Sequence, residues 1–340
     1  MTEKVYFIQA PRLDDPRLYD PWMNLALEEY CLRHLDPANT YLLFYVNRPV
    51  VVIGRNQNPL QEINAVYTAA KGIPVIRRIS GGGAVYHDHG NLNVSIVSPY
   101  RREHLHHFGA FTAPVIAVLQ RMGVSAAVNA RNDIEVRGKK ISGTAQFSSG
   151  KGILTHGTLL FDADLAALRT ALNAPGSPVD SRAVPSVRSP VANVSSMLTG
   201  PVPMSAFAAE IRRAMAAHHG GAAPHPLEDR QWRAVAALAR EKYHSWDWNV
   251  GRSPKFRIRR SGRFGARAFD MVITVEKGRV QAVDGRVGTP DPAAIRLLAR
   301  SLVGRRYRKD DMAMAFSEGG LDRIFRSASP LAFAELVTPI

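Results

Sequence analysis

The sequence has a single cysteine, Cys31, among its 340 residues. One cysteine excludes an intrachain disulfide and a thiolate metal cluster, and it fits a reducing compartment. No apolar run approaches the roughly 20 residues that span a bilayer. The opening MTEKVYFIQA has neither a signal-peptide core nor an Arg/Ser-rich presequence. These absences predict a cytoplasmic protein without a membrane partner, and the length suggests about two domains.

Acidic residues are comparatively few, because 44 lysines and arginines stand against 29 aspartates and glutamates. The excess is concentrated between Gly251 and Lys309, where sixteen basic residues accompany four acidic ones. A field of this sign attracts nucleic acid, anionic lipid or an acidic protein, although a charge-rich face is as often merely solvated. The segment lacks zinc-finger, RNP and basic-zipper patterns. A nucleic-acid partner is therefore not expected.

Hydrophobic periodicity predicts an α+β architecture for the first part of the chain. Asp20 followed by Pro21 is typical of a helix N-cap and first helical residue. The apolar spacing after them predicts an amphipathic helix with Cys31 on its buried face. Further strands are predicted at 41–46, 50–53, 125–128, 134–136 and 153–161, and further helices at 111–122 and 204–218. We expect a mixed, mainly antiparallel sheet packed by helices.

The second part of the chain contains the stronger breaks. Four prolines between residues 174 and 190 predict a long loop, and residues 220–226 break the chain again. We therefore expect a catalytic domain over residues 1–240 and a small α+β domain over residues 246–340. In the small domain a strand is predicted near residues 269–275 and a helix near residues 291–302.

The stretch from Arg77 to Ser95, RRISGGGAVYHDHGNLNVS, combines a glycine run with two arginines, a histidine and two asparagines. Glycines at 81–83 adopt positive φ cheaply and let a ligand approach the backbone, so their amides can face an anion or a flat ring. An arginine fork can grip a carboxylate or a phosphate. Strand-like runs at 73–76 and 93–97 predict that the glycines turn a β-hairpin.

Other polar groups have both a chemical and an ordinary interpretation. Lys140 in GKKISGTA could neutralise a phosphate, or belong with Lys139 to a solvated turn. Asp133 could help to hold Mg²⁺ and Asn132 could contact adenine or phosphate, while an Asn-Asp pair is also a common turn signal. His87 has the chemistry of a general base, but a histidine that positions a ligand fits the pattern as well.

Taken together, these strings resemble one family. RRISGGGAVYHDHGNLNVS resembles the lipoate-binding motif of lipoate–protein ligases, RRxSGGGAVxHDxGN. DPWMNLALEE, IGRNQNP, RNDIEV, GKKISGTA and HGTLL are similar to further blocks of that family, in its order. The resemblance is strong over residues 19–193 and continues more weakly through WDWNVGRSPKF into the family's accessory domain. It implies a biotin/lipoate ligase-like catalytic domain.

The resemblance implies an ATP-dependent enzyme. Lipoate, or octanoate, would react with ATP to form an acyl-AMP, with Mg²⁺ as the metal ion. The acyl group would then pass to a lysine of acidic lipoyl domains, in 2-oxo-acid dehydrogenase E2 subunits or in the glycine cleavage H protein. The sequence does not choose between lipoate and octanoate or between these acceptors.

The resemblance also implies roles for individual residues, with Lys140 as the catalytic residue. His87 is assigned to binding and not to proton transfer. The implied lipoate-binding residues are Arg78, Ser80, Gly83, His87 and Lys140. The implied ATP- and adenylate-binding residues are Gly83, Tyr86, His87, Asn91, Asn132, Asp133, Lys140 and Ala145, with Asp133 as the Mg²⁺ ligand.

Two rival functions remain at this stage. One is an amidotransferase that moves lipoyl or octanoyl between proteins, for which Cys31 would have to carry a thioester. Its position on the apolar face of a helix instead predicts a core residue. The other is a non-catalytic acyl-adenylate-binding protein that regulates nucleic acid through the basic segment.

Overall fold

The structure, a computed structural model, describes residues 3–9, 19–174, 179–264, 267–288, 292–326 and 328–338. The strands, in chain order, are β1 (Val5–Gln9), β2 (Thr40–Val46), β3 (Val50–Ile53), β4 (Val75–Arg77), β5 (Val85–His87), β6 (Asn91–Pro99), β7 (Ala127–Val128), β8 (Ile134–Val136), β9 (Lys139–Ser148), β10 (Gly152–Leu160), β11 (Val179–Ser181), β12 (Ala223–Pro226), β13 (Phe256–Phe264), β14 (Arg267–Glu276) and β15 (Arg279–Val287). The helices are α1 (Pro21–His34), α2 (Pro59–Glu62), α3 (Ala65–Ala70), α4 (Gly109–Arg121), α5 (Leu165–Ala171), α6 (Met204–His218), α7 (Asp229–Leu238), α8 (Pro292–Leu302), α9 (Lys309–Glu318) and α10 (Pro330–Val337).

The chain divides into two compact units, and neither is continuous in sequence. Unit 1 consists of Met1–Arg55, Ile76–Arg169 and Val187–His244. Unit 2 consists of Asn56–Val75, Thr170–Ser186 and Ser245–Ile340. The functional division into residues 1–240 and 246–340 stays a prediction.

Unit 1 is built on a mixed sheet in which eight strands of the described chain lie in the order β12-β1-β2-β6-β10-β9-β8-β7. Strand β1 is parallel to β12 and to β2, whereas the other neighbours are antiparallel. The prediction of an α+β fold with a mixed, mainly antiparallel sheet is confirmed. A smaller sheet contains β4, β3 and β5 in that order.

The two faces of the central sheet differ in chemistry. Side chains alternate along a strand, so β6 and β10 present every second residue to the same face. On one face Leu92 and Leu159 belong to the apolar core under α4 and α6. On the other face the buried residues include Asn93, Ser95 and His156. Burying polar groups costs free energy unless they are partnered, so this polar face is a candidate site.

Helix α1 begins as predicted but is not amphipathic. Asp20 accepts hydrogen bonds from two amides of the first turn, and Pro21 is the first helical residue. The expectation of a solvated face is wrong, because Asn24, Glu28 and Glu29 are buried together with the apolar residues.

A π-helical turn, Ala239–Tyr243, packs against the side of α1 that carries Glu29. Lys242 Nζ and Tyr243 Oη donate to Glu29 at 2.6 and 2.8 Å, and Arg33 Nε donates at 2.7 Å. A buried carboxylate is tolerated when donors of this kind surround it. Burial raises the pKa of Glu29, but these three donors bring it below its ordinary value.

One loop prediction needs correction. The loop predicted over residues 174–190 contains β11, a short edge strand paired with β13; residues 175–178 lie outside the described residues. An edge strand of three residues tolerates nearby prolines because one of its sides needs no partner. Helix α8 matches the predicted helix from residue 292 onward, and Asp291 lies outside the described residues.

Helices α5 and α7 were not predicted, although both carry a start signal. Asp164 Oδ1 accepts from the amides of Ala166 and Ala167 at 2.9 Å. Glu228 and Gln231 form a capping box at the start of α7. Each signal satisfies amides that a helix leaves unpaired in its first turn.

Unit 2 has its own core on one face of an antiparallel sheet ordered β11-β13-β14-β15. Met271 and Ile273 of β14 pack with Leu298, Phe316 and Phe333 of α8, α9 and α10. The predicted strand at 269–275 lies within β14, and the small α+β unit is confirmed. Within the described residues, the helices are too short or too polar to cross a bilayer.

Candidate active site

The glycine run does not form the predicted β-hairpin. Strands β4 and β5 lie on either side of β3, so the chain between them crosses the end of β3. Arg78 N donates to Ile53 O at 3.0 Å, and Arg55 N donates to Ser80 O at 2.8 Å. The prediction was wrong because β3 comes from an earlier part of the chain, and a local pattern carries no information about such a pairing. We call residues 78–84 the glycine loop.

The crossing is close enough to require a glycine beneath the glycine loop. A Cβ on Gly54, at the end of β3, would overlap the Gly82 carbonyl oxygen and contact Gly81. Backbone atoms cannot move aside as the tip of a flexible side chain can. Gly82 itself has φ of +87°, in the region that glycine adopts without strain.

The side chain of Arg78 holds the backbone carbonyl groups of the glycine loop. Its Nη2 donates to the carbonyl oxygens of Gly81 and Gly83 at 2.7 and 2.8 Å, and Nη1 donates to Val52 O at 3.2 Å. Its Nε donates to Ser80 Oγ at 2.9 Å. Burial lowers the pKa of Arg78 to about 10, so the guanidinium is charged at neutral pH. The structure thus brings Arg78, Ser80 and Gly83 together, as predicted residues of one site.

A buried polar network continues from Ser80 into the sheet. Ser80 Oγ lies 2.7 Å from His156 Nε2, and His156 Nδ1 lies 3.0 and 3.1 Å from the two oxygens of Glu28. Glu28 also accepts hydrogen bonds from Tyr45 Oη, at 2.8 Å, and from Ser95 Oγ. Burial would raise the pKa of Glu28, but His156 and these hydroxyls outweigh it and the pKa is lowered. Glu28 is therefore a carboxylate.

His87, the next predicted residue, is buried and neutral. Burial, aided by the charge of Arg78, lowers the pKa of His87 to about 3. Asn47 Nδ2 donates to His87 Nδ1 at 3.0 Å, and Asn24 Nδ2 donates to Asn47 Oδ1 at 2.8 Å. The ring proton is therefore on Nε2, which is buried and lacks a partner among the described residues. A neutral histidine with one unpartnered N–H suits binding better than proton transfer.

Lys140 and Asp133 form an ion pair. The distance from Lys140 Nζ to Asp133 Oδ1 is 2.8 Å, and the two side chains are 27% and 11% exposed. Lys139, its neighbour, is exposed. The structure thus separates the two lysines, which sequence left together as possible members of a solvated turn.

Both partners of the ion pair have their backbone fixed. Lys140 N donates to Pro190 O at 2.8 Å, and Ala192 N donates to Lys140 O at 3.1 Å. On the other side, Asn129 Oδ1 accepts from the amide of Asp133 at 3.1 Å. Asn132 has φ of +62°, so the Asn-Asp pair also forms a turn, as its ordinary interpretation predicts.

Gly143 makes room for the lysine side chain. A Cβ at this position would lie 2.7 Å from Lys140 Nζ and 2.8 Å from its Cε. We predict that Gly143→Ala displaces the ammonium while the fold persists, because the tip of a lysine moves cheaply. The ATP–pyrophosphate exchange that the resemblance implies should fall about 10-fold to 100-fold, with a melting temperature within about 2 °C of that of the unmodified protein. Unchanged exchange would show that the reaction does not require this lysine position.

The remaining predicted residues lie nearby on the same unit. Asn91 is buried on β6, donates to Asn93 Oδ1 at 3.2 Å, and has an Oδ1 without a partner in the described chain. Ala145 lies on β9 opposite His156, and a Cβ on Gly82 would be 3.8 Å from its Cβ. Tyr86 is buried in β5 at 4% exposure. No described hydrogen bond joins Asn91 to Lys140.

Sequence reasoning missed Glu28, Asn47 and Asn129, and it assigned no role to His156. Glu28 had a usable signal, since Asn24 and Glu28 are spaced as neighbours on one helix face, next to the predicted apolar stripe. Asn129 had a local signal as well, because its side chain accepts from amides two and four residues later, as a turn asparagine does. Asn47 had none, because its partners lie 23 and 40 residues away in the sequence.

Cys31 is a core residue, as predicted. It is 2% exposed, and burial, together with the charge of Glu28, raises the pKa of its thiol. A thiol of this kind is a poor nucleophile. We predict that Cys31→Ser keeps turnover within about twofold and lowers unfolding free energy by about 1 kcal/mol, because a hydroxyl replaces an apolar thiol in the core. Intact-protein mass spectrometry should find no acyl adduct on Cys31; such an adduct would revive the amidotransferase.

Comparisons with known proteins agree with this geometry. The family described as lipoyl protein ligase A/B catalytic domain matches residues 20–216. Lipoate-protein ligase LplJ of Bacillus subtilis is 39% identical over 332 residues, which cover 96% of this chain and 99% of the relative.

Two solved structures share the fold. A bi-partite lipoate protein ligase from Thermoplasma acidophilum has a TM-score of 0.62 at 24% identity, covering 74% of this chain and 97% of that chain. A lipoate-protein ligase A bound with ATP has a TM-score of 0.59 at 25% identity, covering 74% and 99%. With a catalytic-domain match over more than half of its length and a relative aligned almost from end to end, the chain belongs to the lipoate–protein ligase family and is a ligase.

Proposed function

We propose that this protein joins lipoate to protein lysines in two steps, through lipoyl-AMP. One observation carries the proposal: the ammonium of Lys140 lies 2.8 Å from the carboxylate of Asp133. Gly143 leaves room for the lysine side chain, and both residues lie on β9 together with Ala145. The relatives support the same reading by their names, which are lipoate–protein ligases, one of them bound with ATP.

The first step makes the acid reactive. A carboxylate oxygen of lipoate attacks the α-phosphorus of ATP, and pyrophosphate leaves with the electron pair of the broken P–O bond. Negative charge builds up on the phosphate oxygens, where a fixed cation stabilises the transition state most. Lys140 supplies that cation. The glycine loop, held by Arg78, borders the acyl-phosphate.

The nucleotide side is proposed from unpartnered groups. His87 Nε2 and Asn91 Oδ1 are buried without partners among the described residues, and such groups cost free energy until a ligand pairs with them. One is a donor and the other an acceptor, which suits the adenylate. Asn132, Tyr86 and Ala145 are proposed on this side by family resemblance.

Mg²⁺ is part of the proposal, with Asp133 as its ligand. Asp133 Oδ1 is paired with Lys140, while Oδ2 makes no hydrogen bond with the described residues. Mg²⁺ is commonly held by one or two carboxylates together with substrate phosphates. Within the described chain no three His, Cys, Asp or Glu residues cluster to bind a metal ion by themselves. Asp133 is therefore suited to bind Mg²⁺ together with the phosphates of ATP. The ion would add charge neutralisation to that of Lys140.

The second step forms the amide. The acceptor amine attacks the acyl carbon of lipoyl-AMP and AMP leaves. At pH 7 about one lysine in 2,500 is neutral at a reference pKa near 10.4, so a base must take the proton. Asp133 and a phosphate oxygen of the adenylate are the two candidates. We propose lipoyl domains of E2 subunits and the H protein as acceptors, with octanoate as a second acyl substrate.

ATP–pyrophosphate exchange with lipoate, octanoate and biotin tests the proposal. We expect exchange that depends on lipoate and Mg²⁺, and no exchange with biotin. Transfer of octanoyl from an octanoylated protein in the absence of ATP would instead support the amidotransferase. Salt-sensitive DNA binding without lipoylation would support the regulator.

The basic segment is proposed to speed encounter with an acidic acceptor. Arg257 and Arg267 are exposed on β13 and β14. Negative charges on a partner's surface would be attracted to these arginines over about 10 Å at moderate ionic strength. We predict that Arg257→Glu combined with Arg267→Glu slows lipoyl transfer about 3-fold to 10-fold at low salt and has little effect at 0.5 M salt. Arg233→Glu, an exposed change on α7, is the control; equal effects of both proteins would contradict the prediction.

A further inference from the structure

Aromatic side chains and an arginine meet on the surface of unit 1 at the start of α1. Trp22 stacks on the ring of His244, with the ring centroids 4.2 Å apart and the planes 16° from parallel. The guanidinium of Arg48 lies 4.8 Å from the centre of the Trp22 ring. Tyr19 contacts His89 edge-on at 5.4 Å, and the Arg48 amide donates to Tyr19 O at 3.0 Å. We call these five residues the aromatic surface.

The aromatic surface is accessible from solvent. Arg48, His89 and His244 are exposed, Trp22 is half-buried, and Tyr19 is 44% exposed. Tryptophan, tyrosine and arginine are enriched at the energetic centres of protein interfaces. Side chains already held by stacking lose little conformational entropy when a partner binds. The composition and the packing of this surface therefore suit the binding of another protein.

Arg48 is held in place, but its charge is not paired. Stacking on Trp22 uses the face of the guanidinium and leaves its N–H donors at the rim. No carboxylate of the described residues forms an ion pair with Arg48. The carboxylates next to this surface in sequence are used elsewhere, since Asp20 caps α1 and Asp88 accepts from two backbone amides. The charge of the surface therefore complements an acidic partner.

The aromatic surface and Lys140 lie at the same end of the central sheet. Arg48 comes two residues after β2, and Lys140 is the second residue of β9. Strands β6 and β10 separate β2 from β9. One row of cross-strand pairs near these ends consists of Val46, Leu92, Leu159 and Ser142. The three strand spacings between Arg48 and Lys140 amount to about 14 Å.

Both groups also lie on the polar face of that sheet. Helix α1, which carries Trp22, packs against β6 and β10 on this face. Ala145 is paired with His156 of the same face, and Gly143 alternates with Ala145 along β9. The Lys140 ammonium lies against Gly143. A standard protein interface buries roughly 800 Å² on each partner, the area of a disc of about 16 Å radius. A protein that delivers a lysine beside Lys140 therefore also covers the aromatic surface.

We propose that the aromatic surface is the docking surface for the acceptor protein, with Arg48 binding a carboxylate of an acidic acceptor. The inference rests on the proposed function and names the part of unit 1 that recognises the acceptor. Docking concerns the second step alone, because the acceptor takes no part in lipoyl-AMP formation. Weakened docking should therefore raise the KM for the acceptor and leave pyrophosphate exchange unchanged.

Steady-state kinetics with a purified acidic lipoyl domain test the inference in the full-length protein. Arg48→Glu should raise the KM for the lipoyl domain about 10-fold to 30-fold at low salt, with kcat within about threefold. Lipoate-dependent pyrophosphate exchange, and transfer from lipoyl-AMP to hydroxylamine, should stay within about twofold, because neither involves a protein acceptor. Arg48→Lys keeps the charge but loses the planar fork, so its KM for the lipoyl domain should rise only about 3-fold.

Arg212→Glu is the matched control. Arg212 is also exposed and stacks on an aromatic ring, that of Phe7, at 4.2 Å. Its helix, α6, covers the opposite face of the central sheet. The same reversal of charge at this position should therefore change the KM for the lipoyl domain by less than about twofold.

Normal exchange by Arg48→Glu also shows that the variant is folded. An unchanged KM for the lipoyl domain, an equal rise in Arg212→Glu, or a parallel loss of exchange would each overturn the inference. Light scattering that finds a dimer of the unmodified protein, dissociated by Arg48→Glu, would assign the surface to a second copy of the chain. DNA binding lost in the same variant would assign it to nucleic acid. Failure of the proposed function is distinguishable, since the unmodified protein would then lack lipoate-dependent exchange altogether.

Discussion

Replacing Lys140 with alanine should lower lipoate-dependent pyrophosphate exchange by about a thousandfold, equivalent to about 4 kcal/mol of transition-state stabilisation. The reason is the position of its ammonium beside Asp133, where it is the cation proposed to meet the α-phosphate. The fold should persist, because the backbone hydrogen bonds of Lys140 to Pro190 and Ala192 do not involve the side chain. Exchange kinetics and circular dichroism on the same protein measure both expectations.

Lys139→Ala is the matched control for this loss. It removes the same charge from the adjacent residue of β9, but Lys139 is exposed and is not paired with Asp133. Its exchange rate should stay within about threefold of the unmodified rate. Near-normal lipoyl-AMP formation by Lys140→Ala, or equal loss in both variants, would show that another cation stabilises the charge on the α-phosphate.

Replacing Gly54 with alanine should destabilise the protein by about 3 kcal/mol, at the upper end of the usual cost of overpacking, and reduce activation more than a hundredfold. The added Cβ would overlap the Gly82 carbonyl oxygen, so the glycine loop would have to lift from β3. Lifting the loop separates the Gly81 and Gly83 carbonyls from Arg78. Urea denaturation measures the stability change and pyrophosphate exchange measures the rate.

Gly81→Ala is the control within the same loop. A Cβ at Gly81 would meet no atom within 4 Å, and its φ is not positive. Its stability should therefore match that of the unmodified protein within about 0.5 kcal/mol. If Gly54→Ala were equally stable, the crossing of the glycine loop over β3 would not be as close as described.

Sequence was a good guide where the determinant is local. The start of α1 was predicted correctly, because it depends only on Asp20, Pro21 and the amides of the first helical turn. Strands β2, β3 and β8 follow from short apolar runs between turn residues. Arg78, Ser80 and Gly83 were assigned to one site by family resemblance; the structure brings them into contact, and their role in binding stays a prediction.

The sequence did not predict contacts between residues that lie far apart in the chain. The hairpin was predicted because nothing within residues 73–97 indicates that β3 inserts between β4 and β5. Glu28 lies 128 residues from His156, so the contact between the two side chains cannot be derived from spacing. Pro190, which fixes the backbone of Lys140, was assigned to a loop. In each case the missing information is a contact, and one sequence contains no record of it.

The discontinuity of unit 2 has a consequence for how the chain acquires its structure during synthesis. Leu60 belongs to the core built by β13, β14 and the last three helices, and β11 pairs with β13. Both segments leave the ribosome well before residues 256–287. At a usual rate of 5–20 residues per second, β11 waits roughly 4–17 s for its partner strand β13. Throughout that interval the β11 segment has no partner strand and Leu60 has no core to join, so unit 2 can complete its fold only after its last part has been synthesised.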